Sequence, residues 1–339
     1  MKTNSSLKFT MPSCQETRGN CLSQVSPGDE RFDIFRSNAD GFSKLYRGTV
    51  YDPYADRIDN CSNLLEFAIA LNPETGEEKL KLKSARFCRV PRCPVCQWRK
   101  ALMWRAKTFK IIPKVFEAYP SSRFLFLTLT VRNCPLQELR STLAHMNKSW
   151  ERLSQRKQFP AIGWIKSVEV TRSWDDLAHP HFHCLLMVKP SYFGGNYYLS
   201  QEKWTELWQK SLRVDYVPIV DIQAVKSLTG ANEGMREAVI EVLKYSVKPS
   251  DVLQSRMPTN QISDQDWLVE LTKQLYQTRS ISTGGVLKDY LQHLENENND
   301  LEDLIHATET SDSELINNSV SLFFNWIEHR KRYINSVEK

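Results

Sequence analysis

Residues 179–183 read His-Pro-His-Phe-His and run directly into the apolar stretch Cys184–Val188. Side chains alternate between faces along a strand, so an extended chain here puts His181 and His183 on one face and Phe182 on the other. Two imidazoles fixed on one strand supply half of a metal site. A lone His-x-His is more often a pair of ordinary surface or core histidines. What gives this one weight is its surroundings.

The chain has 339 residues, of which 41% are hydrophobic and 25% charged, the composition of a soluble globular protein with room for one large or two modest domains. No apolar run approaches the roughly 18 residues that a membrane span needs. Met1–Thr10 lacks the apolar core of a secretory signal, so a cytoplasmic location with no membrane partner is expected. The net charge of +5 conceals a segregation along the sequence. Between Lys79 and Arg123 there are thirteen Lys or Arg against the single acid Glu117, interleaved with Phe87, Trp98, Trp104 and Phe109. That mixture suits phosphates and exposed bases, and Arg92, Trp98, Arg99, Lys100 and Arg105 are the side chains expected to meet DNA, together with Lys244 further on. Between Asp289 and Glu314 there are nine acids and no Lys or Arg, which reads as a solvated or partly disordered linker.

Four parts are expected. Residues 1–54, rich in Ser, Asn, Gly and Asp, read as a flexible arm. Residues 55–100 form a Cys-rich segment, and 101–255 alternate between strand-like and helix-like stretches. Residues 256–339 read as a helical region, broken by the acidic linker and closed by an amphipathic helix over about Leu315–Val337. The fold class is α+β, with a central antiparallel sheet and helices on one or both faces.

In the second part the spacing is Cys88-x4-Cys93-x2-Cys96, with Cys61 upstream. A Cys-x2-Cys knuckle brings two thiolates to one metal, and Cys88 with Cys61 could complete a closed tetrahedral zinc site, the alternative being that either is simply a small buried residue. A basic, proline-interrupted segment of this kind has little core of its own to hold it without the ion.

In the third part, Arg123–Val131 alternates as a strand, Pro135 suits the start of a helix running to about Arg156, and a second strand covers Trp164–Thr171. An Asp-rich turn at Asp175 and Asp176 then leads into the histidine strand. If the two strands pair as a hairpin, Glu169 stands beside His181 and His183, and two imidazoles plus a carboxylate leave open positions on a divalent ion. Further on, Glu237–Lys248 reads as a helix ahead of Pro249, with Glu241 and Tyr245 four apart on one face and Lys244 and Lys248 as a second such pair. This presents a phenol, a carboxylate and a cation on one element. Tyr has an ordinary pKa of about 10, so its attack near neutrality needs a polarised phosphate, a base or a nearby positive charge.

Phe126-Leu-Thr-Leu-Thr130, His179-Pro-His-Phe-His183 and Lys244-Tyr-Ser-Val-Lys248, in that order, resemble the three motifs of HUH endonucleases, specifically the single-tyrosine initiators of plasmid rolling-circle replication. Ala85–Trp98, Gly163–Thr171 and Trp204–Pro218 also look like that family, so the resemblance covers about residues 55–255. It implies a ferredoxin- or palm-like sheet. It implies that His181 and His183 hold the catalytic Mn²⁺ or Mg²⁺, and that Tyr245 attacks the scissile phosphate to leave a 5′-phosphotyrosyl ester and a free 3′-OH. Glu241 then activates water for the terminating cleavage, and Lys248 stabilises charge on the phosphate or helps to position the metal. Glu169 is the choice for third ligand, with His179 competing. The implied partners are DNA, as a double-strand origin with a single-stranded nick site, and a host helicase and DNA polymerase. A transposase or relaxase of the same chemistry and a non-catalytic, zinc-dependent DNA-binding regulator are the alternatives.

Overall fold

The computed structural model describes residues 21–71, 76, 78–226, 233–244, 246–253, 262–297, 304–305 and 315–335. In chain order its helices are α1 (Leu22–Val25), α2 (Glu30–Tyr46), α3 (Asp52–Asp59), α4 (Pro94–Ala118), α5 (Leu139–Ser154), α6 (Gln201–Leu212), α7 (Glu233–Val242), α8 (Pro249–Val252), α9 (Asp264–Gln274) and α10 (Gly285–Glu297). Its strands are β1 (Leu64–Leu71), β2 (Glu78–Ala85), β3 (Arg123–Thr130), β4 (Ala161–Arg172), β5 (Ala178–Val188), β6 (Val220–Ala224), β7 (Ile281–Gly284), β8 (Leu315–Ile327) and β9 (Arg332–Asn335).

The α+β expectation is met with two antiparallel sheets in place of one. The larger has the order β6-β3-β5-β4-β7. Its centre is the β4–β5 hairpin, whose turn places Asp176 at φ 62, a left-handed conformation that Asp tolerates because its short polar side chain bonds locally. Leu125, Leu127, Leu129, Val168, Val170 and Phe182 point to one face and form a core with α5, α6 and α9. The opposite face carries Phe124, Ile165, Leu185 and Met187, packed under α4, α7 and α10. Positions 181, 183, 185 and 187 of β5 share this second face, so the imidazoles continue the row that the helices cover at 185 and 187. Close approach of α10 to β4 requires glycine at 285, where φ is +56 and a Cβ would lie 2.2 Å from the Ile162 carbonyl oxygen.

The smaller sheet, β2-β1-β8-β9, packs on α2 and on the first half of α4 through Phe32, Leu65, Phe67, Leu82, Trp98, Leu102, Phe324 and Tyr333. With 25 residues, α4 is long enough to lie under both sheets.

Three expectations are corrected. Residues 30–46 are not a loose arm but helix α2. Phe32, Ala39, Phe42 and Tyr46 recur at helical spacing and are buried, a pattern that the abundant Ser, Asn and Asp obscure. The closing helix expected over about Leu315–Val337 is not formed by its described residues, because 315–327 pair with β1 and the chain turns back as β9 (Arg332–Asn335), with Lys331 left-handed at the turn. The C-terminal region is therefore mixed, and β7 from the same region completes the larger sheet on β4. The start of the acidic stretch is α10, whose Glu295 pairs with the buried Lys107 at 2.7 Å. Apart from Leu304 and Ile305, residues 298–314 of that stretch lie outside the described residues. Among the described residues no helix is long and apolar enough to cross a membrane.

Candidate active site and metal centres

The hairpin register pairs Glu169 with His181 and Ser167 with His183, while β3 places Thr130 and Thr128 opposite the same two histidines. One row of the sheet thus gathers the expected ligands. Nε2 of His181 lies 3.1 Å and Nε2 of His183 lies 2.8 Å from Oε2 of Glu169. All three residues are buried, and their ligand atoms lie within 4.8 Å of one another. The far side of each ring is also held. Nδ1 of His181 is 3.2 Å from the His179 carbonyl, which can only accept, so that nitrogen carries the proton and Nε2 keeps its lone pair in the neutral ring. Nδ1 of His183 is 3.2 Å from the Thr128 hydroxyl, and Phe126 stacks on its ring at 5.5 Å. Burial pushes the pKa of His183 down, favouring the neutral, ligating form.

Two imidazole lone pairs and a carboxylate aimed at one point repel one another unless a cation sits among them, so this donor set fits a divalent ion. His179, the competing third ligand, stands apart. Its Nδ1 faces the Thr171 hydroxyl at 3.5 Å, and the three converging residues are Glu169, His181 and His183. Burial opposes ionisation of Glu169, but hydrogen bonds from the Lys244 ammonium and, when their Nε2 atoms carry a proton, from His181 and His183 outweigh it and hold the carboxyl well below the usual range. Replacing Glu169 by Gln keeps the shape and removes the charge. It is expected to weaken Mn²⁺ binding at least about tenfold by calorimetric titration, and unchanged affinity would remove Glu169 from the ligand set.

Lys244 Nζ lies 2.8 Å from Glu169 Oε2, and Lys248 Nζ lies 3.2 Å from its Oε1. Lys244 also pairs with Glu241, which is exposed at the end of α7. The expected helix through Lys248 is not formed. α7 stops at Val242, the Ser246 carbonyl accepts from Val170 N–H at 2.9 Å, and Pro249 opens α8. Pairing with the edge of β4 draws the chain out of the helix, so Lys244 and Lys248 reach Glu169 by a route other than helical i,i+4 spacing. Tyr245 lies outside the described residues.

The four cysteines of the second constellation also converge. Sγ of Cys61 is 3.7 Å from those of Cys96 and Cys93, and Cys88 to Cys96 is 3.6 Å. A tetrahedral ion with metal–sulfur bonds of about 2.3 Å, as for zinc, has sulfur–sulfur edges of about 3.8 Å. Cys93 is the N-cap and Cys96 lies in the first turn of α4, where the helix dipole favours thiolate. Backbone N–H groups of Cys88, Arg89 and Val90 point at three of the sulfurs, with Arg89 in a left-handed turn at φ 55. The segment is not a module with little core of its own. Cys61, Cys93 and Cys96 are buried in the same cluster that backs β3, β4 and β5.

The expected DNA contacts divide. Trp98 is 5% exposed, stacked on Phe35 at 5.0 Å and edge-on to Phe32 at 4.8 Å. Arg99, also 5% exposed, donates to the carbonyls of Leu304 and Ile305, and Arg105, at 6%, donates to that of Ile240. These three belong to the packing between α4 and its neighbours, a correction to their expected role, because residue type alone does not say which side of a helix is covered. Arg92, Lys100 and Lys244 do line a common groove with Ser167 and Ser246 beside the Glu169 site. Sequence reading missed Gln97 and Ser246. The Ser246 hydroxyl is 3.4 Å from both Arg92 Nη1 and Gln97 Oε1, which ties the cysteine knuckle to the residue after Tyr245. No motif marks such a contact, which spans about 150 residues of sequence.

The sequence profile described as "Replication protein" matches residues 79–334. A "Protein rep" from Streptococcus pneumoniae serotype 2 (strain D39 / NCTC 7466) is 36% identical over 280 residues, 81% of each chain. One from Bacillus amyloliquefaciens is 33% identical over 318 residues, 90% of this chain and 91% of its own. A "Replication protein" from Staphylococcus aureus is 31% identical over 229 residues, covering 66% of this chain and 95% of its own. No solved structure matches the chain. The profile spans the whole of the larger sheet, the Glu169, His181 and His183 site, three of the four clustered cysteines and the residues of the groove, and the chain belongs to the replication protein family.

Proposed function

We propose that this chain starts plasmid rolling-circle replication by nicking one strand of the origin, with Tyr245 as nucleophile. The observation that carries the reading is the convergence of Glu169, His181 and His183 on one face of the sheet, with Lys244 and Lys248 both reaching Glu169 from either side of residue 245 in the sequence. The phenol of Tyr245 gives up its proton and forms an O–P bond while the P–O3′ bond breaks, and the departing oxygen gains a proton to become the 3′-OH that a host polymerase extends behind a host helicase. A divalent ion held by Glu169, His181 and His183, Mn²⁺ or Mg²⁺, supplies Lewis-acid polarisation of the phosphate when bound. Lys248 and Lys244 offset the charge that builds on the phosphate oxygens. The aryl phosphoester keeps the energy of the broken phosphodiester, so a later 3′-OH reverses the step without ATP. Cys61, Cys88, Cys93 and Cys96 hold a structural Zn²⁺ that fixes the start of α4 and, through Arg92 and Gln97, the segment at Ser246.

Glu241, exposed at the end of α7, activates water for the cleavage that ends a round. Glu241→Ala is therefore expected to form the first covalent adduct at a normal rate and to release it at least about tenfold more slowly, as followed by adduct decay on a denaturing gel. Normal release would take Glu241 out of the mechanism. The reading as a whole is tested by incubating the protein and Mn²⁺ with labelled single-stranded DNA from the parent replicon's origin. A protein-linked 5′ end is expected. Tight origin binding with no such species in any divalent ion would point to a DNA-binding regulator instead.

A further inference from the structure

We infer that a cavity on the opposite face of β4 takes up one base of the strand being cut and selects a base with a keto oxygen beside a ring N–H, guanine or thymine. This rests on the nicking function proposed above and names what that site reads. The cavity measures about 440 Å³, in the range of small-molecule sites. Its walls include the indoles of Trp150 and Trp164, packed edge to face at 5.1 Å. An aromatic wall accepts the π-face of any base, so polar groups must supply the choice.

Those groups are Lys166 and Glu151. The Lys166 ammonium is buried, donates to Asn147 Oδ1 at 2.7 Å and sits 3.7 Å from the centre of the Phe182 ring. Among the described residues no carboxylate lies within ion-pair distance of it, and burial pushes its pKa down to about 8. An ammonium has three donors, and one is used here. Glu151 lines the same cavity and is near enough to act on the charge of Lys166. A donor beside an acceptor complements O6 and N1–H of guanine, or O4 and N3–H of thymine. Adenine and cytosine would turn an amino group toward the ammonium.

A route joins this cavity to the metal centre. Arg92, Val168, Ser246 and Ser280 line both the cavity and the groove that contains Ser167 and Lys244. The groove crosses the edge of β4 where Val168 N–H bonds the Ser280 carbonyl and Val170 N–H bonds that of Ser246. A nucleotide next to a phosphate held at Lys244 and the Glu169 site would pass Arg92 at this crossing. Trp164 is fixed by its partner in β7: a Cβ at Gly284 would come within 2.4 Å of its indole.

The test measures binding, by fluorescence anisotropy, of origin oligonucleotides to the nicking-dead Tyr245→Phe protein. Positions within three nucleotides of the nick are replaced one at a time by an abasic site. One position is expected to lose at least about tenfold in affinity, to be guanine or thymine, and to lose nearly as much on exchange for adenine or cytosine. Trp164→Ala and the exposed Glu151→Gln should each weaken binding of the intact oligonucleotide and abolish the penalty at that position, whereas a purely structural defect would leave the penalty in place. A flat scan, or a penalty of full size in folded Glu151→Gln, overturns the inference. Failure of the nicking function shows instead as no protein-linked DNA from the unmodified chain, whatever the binding scan gives.

Discussion

Replacing Cys93 and Cys96 together by serine is expected to remove bound zinc and to unfold the chain or leave it aggregated at 37 °C. Structural zinc sites contribute on the order of 10 kcal/mol of apparent binding free energy, comparable to the whole stability of a domain. The sulfurs here are also part of the main core: Cys61 and Cys93 are fully buried and Cys96 nearly so. Loss of the ion leaves the Cys61 and Cys88 sulfurs and two serine hydroxyls facing one another beside the start of α4. Zinc content by elemental analysis and the thermal midpoint check this directly. Retention of one zinc per chain in the double variant would contradict the assignment. The milder Arg92→Ala and Gln97→Ala keep the four thiolates and free only Ser246, so they should leave zinc and melting temperature near normal while slowing nicking.

Tyr245→Phe is expected to lower nicking of a single-stranded origin oligonucleotide by more than about 10⁴-fold, with origin binding within about threefold of normal. Removing a nucleophile from an otherwise intact site costs on this scale because the remaining groups have nothing to activate. The substitution deletes one oxygen and leaves Glu169, His181, His183 and both lysines in place. Equal loss of cleavage and binding would mean that Tyr245 is structural. Cleavage that persists without a protein-linked 5′ end would assign the attack to water and sink the proposed chemistry.

Much of the site is legible in local sequence because it is written in strand periodicity. His181 and His183 are two apart, and an Asp-rich turn between two strand-like runs makes a hairpin, which puts Glu169 opposite His181 without any knowledge of the rest of the chain. The Cys-x2-Cys knuckle is legible for a similar reason, since a bend and the first turn of a helix bring both sulfurs to one point. The Lys244–Lys248 stretch departs from its expected helical conformation, although Lys244 and Lys248 both reach Glu169. Apolar spacing predicts a helix there, but the open edge of β4 offers hydrogen bonds to the Ser246 carbonyl that a lone helix does not.

Long-range pairing escapes such reading. Phe323 and Phe324 of β8 oppose Glu66 and Leu65 of β1 across more than 250 residues of sequence, and it is that pairing that makes a strand of residues equally able to form an amphipathic helix. The exposure of basic and aromatic residues along α4 is likewise undetermined until its neighbours are placed: Trp98, Arg99 and Arg105 are covered, while Lys100 reaches the groove. The sequence by itself determined which atoms could act, because ligand type and spacing over a few residues follow from the geometry of strand and turn. Only the tertiary structure decided which of them share a cavity and which are sealed in the core, because burial depends on surfaces supplied by distant parts of the chain.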